Sequence, residues 1–432
     1  MTAQWPFLPT RSGNINIVGA EGAYLETDDG RRILDAAGGA IVANIGHGRK
    51  EVADAVAEAT VGESYVVPPW STPSRQRLAD RLVADWLPPE LTRIHMTCGG
   101  SEGVESAMKI ALQHHACKGD ISRTKIIGRS ISYHGTTLAT TAVGGHQARR
   151  KDFEQVLADY PHAPTPYPLR CPDDDPGRYY VDALEQLIET EGPATIAAFL
   201  AEPVSGASGG AIVPPDDYWP GVQDLCNKHG ILLIVDEVMT GFGRTGKSFG
   251  HQHWSIKPDI MVAGKGLAGG YAPLTGIFAT DDVADPIRAA NSNVMFHTFG
   301  AHPAACAAAD VVLSILTREN LVERARDTGE KLLRQLRAAF SNHPHVAEVR
   351  GQGMLMGVEV VKDLDTLEQF PLEDNVTNRI VGEALQRNVF FYGGGTGEVR
   401  DVIVLGPPFI IDDDDIDLMV NALVESVDAV VS

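Results

Sequence analysis

The sequence predicts an α/β fold with a mostly parallel sheet covered by helices, together with a smaller α+β domain. Short apolar runs rich in β-branched side chains alternate with helical patterns through the middle of the chain. This alternation is typical of a parallel sheet whose two faces are both buried. The C-terminal part combines charged amphipathic helices with short strands. A chain of 432 residues is also too long for one simple core, so two domains are expected.

The central strands are predicted from four apolar runs. The segment 216–230 between the second and third runs is predicted to form a crossover helix that ends at Gly230, since glycine favours the helix C-cap conformation. Ligands of such sheets bind at the carboxyl ends of the strands. The runs are TKIIGR (124–129), TIAAFLAEPV (195–204), ILLIVDEV (231–238) and DIMVAGK (259–265).

Both termini are predicted to build the smaller domain. We expect it to contain residues 1–60 and 321–432, with residues 61–320 forming the large domain. Its predicted elements are a β-hairpin at 22–39, a charged helix at 321–340, strands at 346–361 and 401–411, and a final helix at 413–431.

Composition limits the classes of partner and the compartment. The 36 Lys and Arg against 57 Asp and Glu give a net charge of −21, which argues against nucleic acid or an anionic membrane as the main partner. The 5 cysteines contain no C-x-x-C pair and the histidines no metal-ligand spacing, which predicts a reduced intracellular protein without a metal site. The start MTAQWPFLPT lacks secretory signal features, and no apolar window reaches ~18 residues. A cytoplasmic location is expected.

Two segments match the G-x-G-x-x-G pattern of dinucleotide-binding turns, GFGRTG (241–246) and GKGLAG (264–269). Each follows a predicted strand, but neither opens a clear amphipathic helix, which that motif requires. A nicotinamide-dependent dehydrogenase therefore stays a weaker alternative from another enzyme class.

A stronger anion site is predicted at 96–113, MTCGGSEGVESAMKIALQ. Ser101 is placed as the N-cap of a helix that follows two glycines. Free N–H groups at such a helix start bind phosphate, and the missing P-loop lysine argues against a nucleoside triphosphate. The helix face is predicted from the spacing of Val104, Ala107, Met108 and Ala111.

Lys265 and Asp236 together suggest a cofactor. Lys265 is the single charged residue of MVAGKGLAGGYAPLTG (261–276), and Asp236 ends a buried strand. An amine that carries an aldehyde cofactor as a Schiff base must be neutral to attack, and an apolar pocket lowers its pKa. Pyridoxal phosphate (PLP) also needs a carboxylate that keeps its ring nitrogen protonated. The three features, lysine, carboxylate and phosphate cradle, indicate PLP.

The segments around these residues resemble the class III aminotransferases, which are PLP enzymes of fold type I. The resemblance covers most of the chain and implies a large domain with a mostly parallel seven-stranded sheet. It also implies a homodimer with shared active sites, and tetramers are an open alternative. The matching segments are LLIVDEVMTGFGRTG, PDIMVAGKGLAGGYAPLTG, CGGSEGVESAMK, SYHGTT, AEPV, HTFGAHPAACAA, RGQGMLMGVE and GPPFII.

The resemblance implies roles for individual residues. Lys265 would hold PLP as a Schiff base and then act as acid and base in the proton shift, and Asp236 would pair with the ring nitrogen. Tyr133 would stack on one ring face, with His134 beside it, and Val238 would pack on the other.

Four further residues are implied to surround the cofactor. Gly100 and Ser101 would hold the phosphate, and Thr298 would reach the phosphate in the neighbouring subunit. Glu202 would lie near the ring edge or the substrate access.

Substrate preference is predicted from the stretch before Pro407. The acetylornithine-type members carry a carboxylate-binding arginine three residues upstream of this proline, where this chain has Val404. Arg400 is the nearest candidate, because arginine binds carboxylates in bidentate fashion. The segment YVVPPWSTP (65–73) resembles one that lines the substrate pocket, so Tyr65 or Trp70 could form an apolar wall there, or could pack in the core.

These features favour an ω-amine:pyruvate type transaminase that works by a ping-pong mechanism. Its amine donor would be an amine or ω-amino acid and its acceptor a small keto acid such as pyruvate. Another class III enzyme remains the alternative: an acetylornithine-type aminotransferase, a dialkylglycine decarboxylase or an aminomutase.

Overall fold

The computed structural model describes residues 15–431. The start MTAQWPFLPT, and with it the first 14 residues of the predicted small domain, lies outside this range. The strands are β1 (Ile17–Glu21), β2 (Tyr24–Thr27), β3 (Arg32–Asp35), β4 (Arg93–Thr97), β5 (Lys125–Arg129), β6 (His162–Ala163), β7 (Ile196–Ala201), β8 (Leu232–Asp236), β9 (Ile260–Ala263), β10 (Thr275–Ala279), β11 (Val346–Gln352), β12 (Leu355–Val360), β13 (Val389–Phe390), β14 (Tyr392–Thr396) and β15 (Val399–Leu405).

Helices connect these strands and cover the sheets. They are α1 (Gly38–Ile41), α2 (Lys50–Gly62), α3 (Pro73–Arg81), α4 (Gly100–Cys117), α5 (Leu138–Val143), α6 (Gln147–Arg150), α7 (Pro176–Glu191), α8 (Tyr218–His229), α9 (Asp281–Ala289), α10 (Pro303–Arg318), α11 (Leu321–Ala339), α12 (Val376–Gln386) and α13 (Asp413–Val431). None of these helices combines the length and apolar character that a bilayer crossing requires.

The central sheet has seven strands in the order β4-β10-β9-β8-β7-β5-β6. The β9-β8, β8-β7, β7-β5 and β5-β6 pairs are parallel, and β10 runs antiparallel to both of its neighbours. The predicted mostly parallel sheet is thus confirmed. The predicted crossover helix is α8, which ends at Gly230 with a φ of 63°.

The apolar runs of the central strands follow from burial on both faces. Every residue of β7 and β8 is buried. Ile234 belongs to the core cluster that includes α4, whereas Leu233 and Val235 belong to the cluster that includes α8 and α10. Because successive side chains of a strand point to opposite faces, a strand covered on both sides needs apolar residues at every position.

Two smaller sheets complete the fold. The sheet β1-β2-β3-β13 contains the predicted N-terminal hairpin, and β13 joins it by pairing parallel with β3. The second sheet, β11-β12-β15-β14, is antiparallel throughout. The predicted smaller α+β unit is therefore present, and it contains segments from both ends of the chain. The exact boundaries near residues 60 and 320 stay a prediction.

One close approach ties the antiparallel sheet to a loop of the central domain. An added Cβ on Gly357, in β12, would lie 2.1 Å from the carbonyl oxygen of Gly210. No side chain fits into that space, so glycine is required for the two segments to touch.

We expect Gly357→Ala to lower the free energy of unfolding by roughly 1–3 kcal/mol, as overpacking generally does. Gly382→Ala, in α12, is the matched control, since an added Cβ there meets nothing within 4 Å. It should raise stability by about 0.5–1 kcal/mol through helix propensity. Thermal unfolding midpoints measured by circular dichroism check both signs, and equal shifts would contradict the steric argument.

Candidate active site

A cavity of about 300 Å³ opens at the carboxyl ends of the central strands. Asp236 is the last residue of β8, and Lys265 follows the end of the adjacent parallel strand β9 by two residues. The two side chains therefore reach the same edge of the sheet, as predicted. The other residues that line this cavity include Cys98, Gly99, Gly100, Ser101, Tyr133, His134, Glu202, Gly206, Ala207, Val238, Met239 and Thr275.

Lys265 is held in an unusual backbone conformation, with a φ of 42°. Its Nζ donates a hydrogen bond to the carbonyl oxygen of Ala40, at 3.0 Å. Removal of the ammonium from water lowers the pKa of Lys265 to about 8, although the charge of Asp236 acts in the opposite direction. A substantial fraction of this amine is thus neutral near pH 8.

Asp236 is nearly fully buried and hydrogen-bonded on both oxygens. Its Oδ2 lies 2.8 Å from Nδ1 of His134, and its Oδ1 accepts from the backbone N–H of Val238 at 3.0 Å. These contacts fix the carboxylate at the cavity wall.

His134 stands between two buried carboxylates. Its Nε2 lies 3.9 Å from the carboxylate of Glu202 and has no hydrogen-bond partner in residues 15–431. Glu202 forms a 2.8 Å ion pair with Arg129 and accepts from the N–H of Tyr133. Burial raises the pKa of Glu202, but His134 and Arg129 outweigh it and the net pKa is lowered. Asp236, His134, Glu202 and Arg129 therefore form a continuous chain of polar contacts.

The start of α4 differs from the prediction in one detail. Gly99, not Ser101, is the N-cap, and Ser101 lies in the first turn of the helix. The hydroxyl of Ser101 accepts from the N–H of Thr136 at 3.0 Å, so it ties two cavity walls together instead of capping its own helix. The predicted helix face is correct, since Val104, Ala107, Met108 and Ala111 are all buried.

A second, outer chamber of about 480 Å³ shares Lys265, Tyr133, Ala207 and Met239 with the first. Arg400 lines this chamber, as does Arg149. The guanidinium of Arg400 donates to the carbonyl oxygen of Phe370, and its Nε has no hydrogen-bond partner in residues 15–431. Val404 lies fully buried in β15 and packs in an apolar cluster, so a core side chain occupies the position of the acetylornithine-type arginine.

Three predicted residues do not line either chamber of their own chain. Tyr65 and Trp70 are 47% and 68% exposed, because the connection between α2 and α3 lies at the surface. Core packing is therefore not found for either residue within the single chain, and a role in a pocket wall stays a prediction. Thr298 is exposed in the connection between α9 and α10.

The dinucleotide alternative finds no support in the local structure. Lys265–Leu267, within GKGLAG, forms one short 3₁₀ turn, and GFGRTG likewise continues into turns. No α-helix starts at either segment, so neither provides the helix N-terminus that binds a pyrophosphate.

Sequence reasoning missed two cations near the site, Arg129 and Arg149. Arg129 is the last residue of β5, so its place at the carboxyl end of a predicted strand was a usable signal. Arg149 lies in the short helix α6, which no periodicity in the sequence indicates.

The lining residues fit pyridoxal phosphate. The first-turn N–H groups of α4 lack intrahelical acceptors, which suits a phosphate. Space beside Gly99 is open, since an added Cβ there would meet nothing within 4 Å. A neutralisable amine and a fixed carboxylate, Lys265 and Asp236, face the same cavity.

The chain matches the family Aminotransferase class-III over residues 8–427. It is 35% identical to the taurine–pyruvate aminotransferase of Bilophila wadsworthia, over 94% of this chain and 90% of that one. An (S)-enantioselective ω-transaminase from Thermomicrobium roseum superposes with a TM-score of 0.92 at 36% identity, over 98% of this chain and 94% of the other. An amine transaminase from an uncultivated Pseudomonas species, in its PLP-bound form, gives a TM-score of 0.92 at 34% identity, over 100% and 99%. The chain therefore belongs to the class III aminotransferases, and it is a PLP-dependent transaminase of fold type I.

Proposed function

We propose that this transaminase is of the ω-amine:pyruvate type. It would move an amino group from an amine or ω-amino acid to a small keto acid such as pyruvate, in two half-reactions of a ping-pong cycle. The taurine–pyruvate relative supports pyruvate as acceptor. The buried Val404 speaks against an acetylornithine-type enzyme, since the arginine of that type has no counterpart there.

The observation that carries the proposal is that Lys265 and Asp236 lie at the ends of adjacent strands and line the same cavity. Lys265 has a pKa of about 8, so its amine can be neutral when it attacks and protonated when it donates. Asp236 is held by His134 and by the N–H of Val238, so its charge cannot turn away from the cavity.

PLP, when bound, supplies an electron sink that lets a proton leave the carbon next to the transferred nitrogen. Lys265 is proposed to take and return that proton at its Nζ. Asp236 is proposed to keep the ring nitrogen protonated. Tyr133 and Val238 are proposed to contact the two ring faces.

The remaining predicted residues are proposed to complete the site. Gly100 and Ser101 would bind the phosphate at the start of α4. His134 would orient the carboxylate of Asp236 through its Nδ1. Glu202 would in turn position His134, which it faces at Nε2, and Tyr133, whose backbone N–H it accepts. Arg400 would bind the carboxylate of the keto acid, since its guanidinium lines the outer chamber with Lys265.

A homodimer is proposed as the active unit, and two dimers could pair into a tetramer. Thr298 of the partner subunit would then reach the phosphate. The exposed aromatic side chains of Tyr65, Trp70, Phe296 and Phe299 support an interface on this face. We also propose a cytoplasmic location, and a large domain that spans residues 61–320.

A decarboxylating enzyme or an aminomutase would use the same cofactor site. The products separate them: the first releases carbon dioxide, and the second needs no separate amine donor. A transaminase instead requires both an amine and a keto acid for turnover.

The pH dependence of cofactor loading follows from the pKa of Lys265. A lowered pKa means that the neutral, reactive amine accumulates as pH rises through about 8, instead of near the ordinary lysine value. The rate at which the apoprotein binds PLP, followed by visible absorbance, should rise with pH and level off above that midpoint.

Asp236→Asn supplies the comparison for this profile. The charge of Asp236 raises the pKa of Lys265, so its removal should move the midpoint to lower pH. A midpoint near 10.5 in the parent protein, or an upward shift in the variant, would contradict the assigned balance of burial and charge.

The half-reactions test the function directly. The PLP-loaded protein should lose its visible absorption band when an arylalkyl amine is added and regain it with pyruvate. Lys265→Ala should reduce transamination by at least about a thousandfold, because it removes both the cofactor attachment and the proton carrier. Lys257→Ala, at an exposed lysine on the β8–β9 connection, is the control and should retain full activity. An active Lys265→Ala protein would overturn the assignment.

Arg400→Ala tests the proposed keto-acid site. Loss of a charge-assisted bidentate contact should lower kcat/KM for pyruvate by about tenfold or more, while kcat/KM for propanal, which has no carboxylate, changes little. Arg178→Ala, 76% exposed on α7, serves as the control. Equal losses for pyruvate and propanal would show that the keto-acid carboxylate is held elsewhere.

A further inference from the structure

The outer chamber carries more positive than negative charge, although the whole chain has a net charge of −21. Within residues 15–431 its lining contains Lys265, Arg149 and Arg400, and one acidic residue, Asp401. Burial raises the pKa of Asp401 above its ordinary value, although Thr377 and Arg400 act in the opposite direction. The chamber therefore favours an anionic group on whatever enters it.

Arg149 is the cation that is free to bind such a group. Its guanidinium carbon lies 4.7 Å from the centre of the Tyr133 ring. Within residues 15–431 no hydrogen-bond acceptor and no carboxylate lies within bonding distance of that guanidinium. The neighbouring Arg150 differs, since it donates to the carbonyl oxygens of Thr141, Ala142 and Gly144. Arg150 is thus structural, whereas Arg149 is anchored by one aromatic face and has its donors open.

The guanidinium of Arg400 makes more polar contacts within the protein than that of Arg149 does. It already donates to the Phe370 carbonyl, and its Nε lies 3.9 Å from the carboxylate of Asp401. His146, whose ring centre lies 6.5 Å from that of Tyr133, does not compete as a cation, because burial and the charge of Arg149 lower its pKa.

Arg149 and Arg400 line only the outer chamber, whereas the amine of Lys265 also faces the first cavity. Lys265 and Tyr133 line both chambers, whereas Arg149 lines the outer one alone and is exposed at its rim. A group bound by Arg149 therefore lies in the outer chamber, beside Tyr133, and not in the cavity that Lys265 shares with Asp236. A guanidinium uses its edge for hydrogen bonds and its face for stacking, so contact with Tyr133 orders it without using its donors.

We propose that Arg149 binds the distal anionic group of the amine donor. The donor class is an amine that carries a carboxylate or a sulfonate at the far end of its chain, an ω-amino acid. This proposal rests on the proposed function, which it deepens by naming the charged end of the donor. Carboxylate and sulfonate share the oxyanion chemistry that a guanidinium recognises.

Matched donor pairs test this specificity. We compare 4-aminobutyrate with butylamine, and taurine with ethylamine, each with pyruvate as acceptor. Arg149→Ala should lower kcat/KM for 4-aminobutyrate, taurine or both by about tenfold or more through KM, since one charge-assisted contact is lost. Values for the uncharged alkylamines should stay within about twofold. Loss for one anionic donor alone identifies carboxylate or sulfonate as the preferred group.

Two variants control the experiment. Lys151→Ala removes the same charge two residues away, on an exposed side chain that lines neither chamber, and should leave all donors unchanged. Arg149→Lys should recover part of the loss, because it restores the charge without the bidentate geometry.

A binding readout separates this site from turnover. Butyrate, which has no amine to transfer, should bind the holoenzyme in isothermal calorimetry, and Arg149→Ala should weaken its affinity by about tenfold or more. Affinity retained in Arg400→Ala would place butyrate at Arg149, whereas loss in Arg400→Ala alone would overturn the proposal.

The kinetic outcomes are equally decisive. Equal losses for charged and uncharged donors would show that Arg149 only supports Tyr133, and no loss for any donor would show that it makes no contact; either result overturns the proposal. A parent protein that uses no amine donor with pyruvate refutes the proposed function instead, and the butyrate measurement still decides whether Arg149 binds anions.

Discussion

The site depends on a partly desolvated lysine ammonium that shares a cavity with a buried carboxylate. Desolvation destabilises the charged form of Lys265, and the ionised Asp236 stabilises it, so their balance leaves the pKa of the amine at about 8. Adjacent parallel strands make this arrangement possible, because β8 and β9 end at the same edge of the sheet. The positive φ of Lys265, which is unfavourable for a side chain with a Cβ, is part of the same constraint.

A chain of polar contacts lies behind Asp236. Nδ1 of His134 lies 2.8 Å from Asp236, and its Nε2 lies 3.9 Å from the carboxylate of Glu202, which in turn is paired with Arg129. A buried carboxylate is costly unless it is paired and hydrogen-bonded, and here every member of the chain has a partner on at least one side. The carboxylate of Asp236 is therefore held by contacts that run through His134 and Glu202 and end at Arg129, the last residue of β5.

The sequence predicted the central sheet and the paired Lys265 and Asp236 because those features are local. A continuous apolar run, a strand-end acid and an isolated lysine are each visible in a short window. Strand β10 was not predicted, since its five residues follow a glycine- and proline-rich turn and give no separate signal. The surface location of Tyr65 and Trp70, the contact of Ser101 with Thr136 and the stacking of Arg149 on Tyr133 all depend on segments that meet only in the folded chain.

The excess of acidic residues and the cationic chamber are compatible because salt limits the reach of surface charge. At physiological ionic strength the Debye length is about 8 Å, so exposed carboxylates on the far sides of the molecule scarcely affect an anion inside the chamber. Groups that line the cavity are screened much less. Within residues 15–431 the outer chamber is lined by three cationic side chains, Arg149, Arg400 and Lys265, and by one acidic residue, Asp401. Burial raises the pKa of Asp401. The proposed preference for an anionic donor thus rests on the few lining residues, while the remaining net charge bears on solubility.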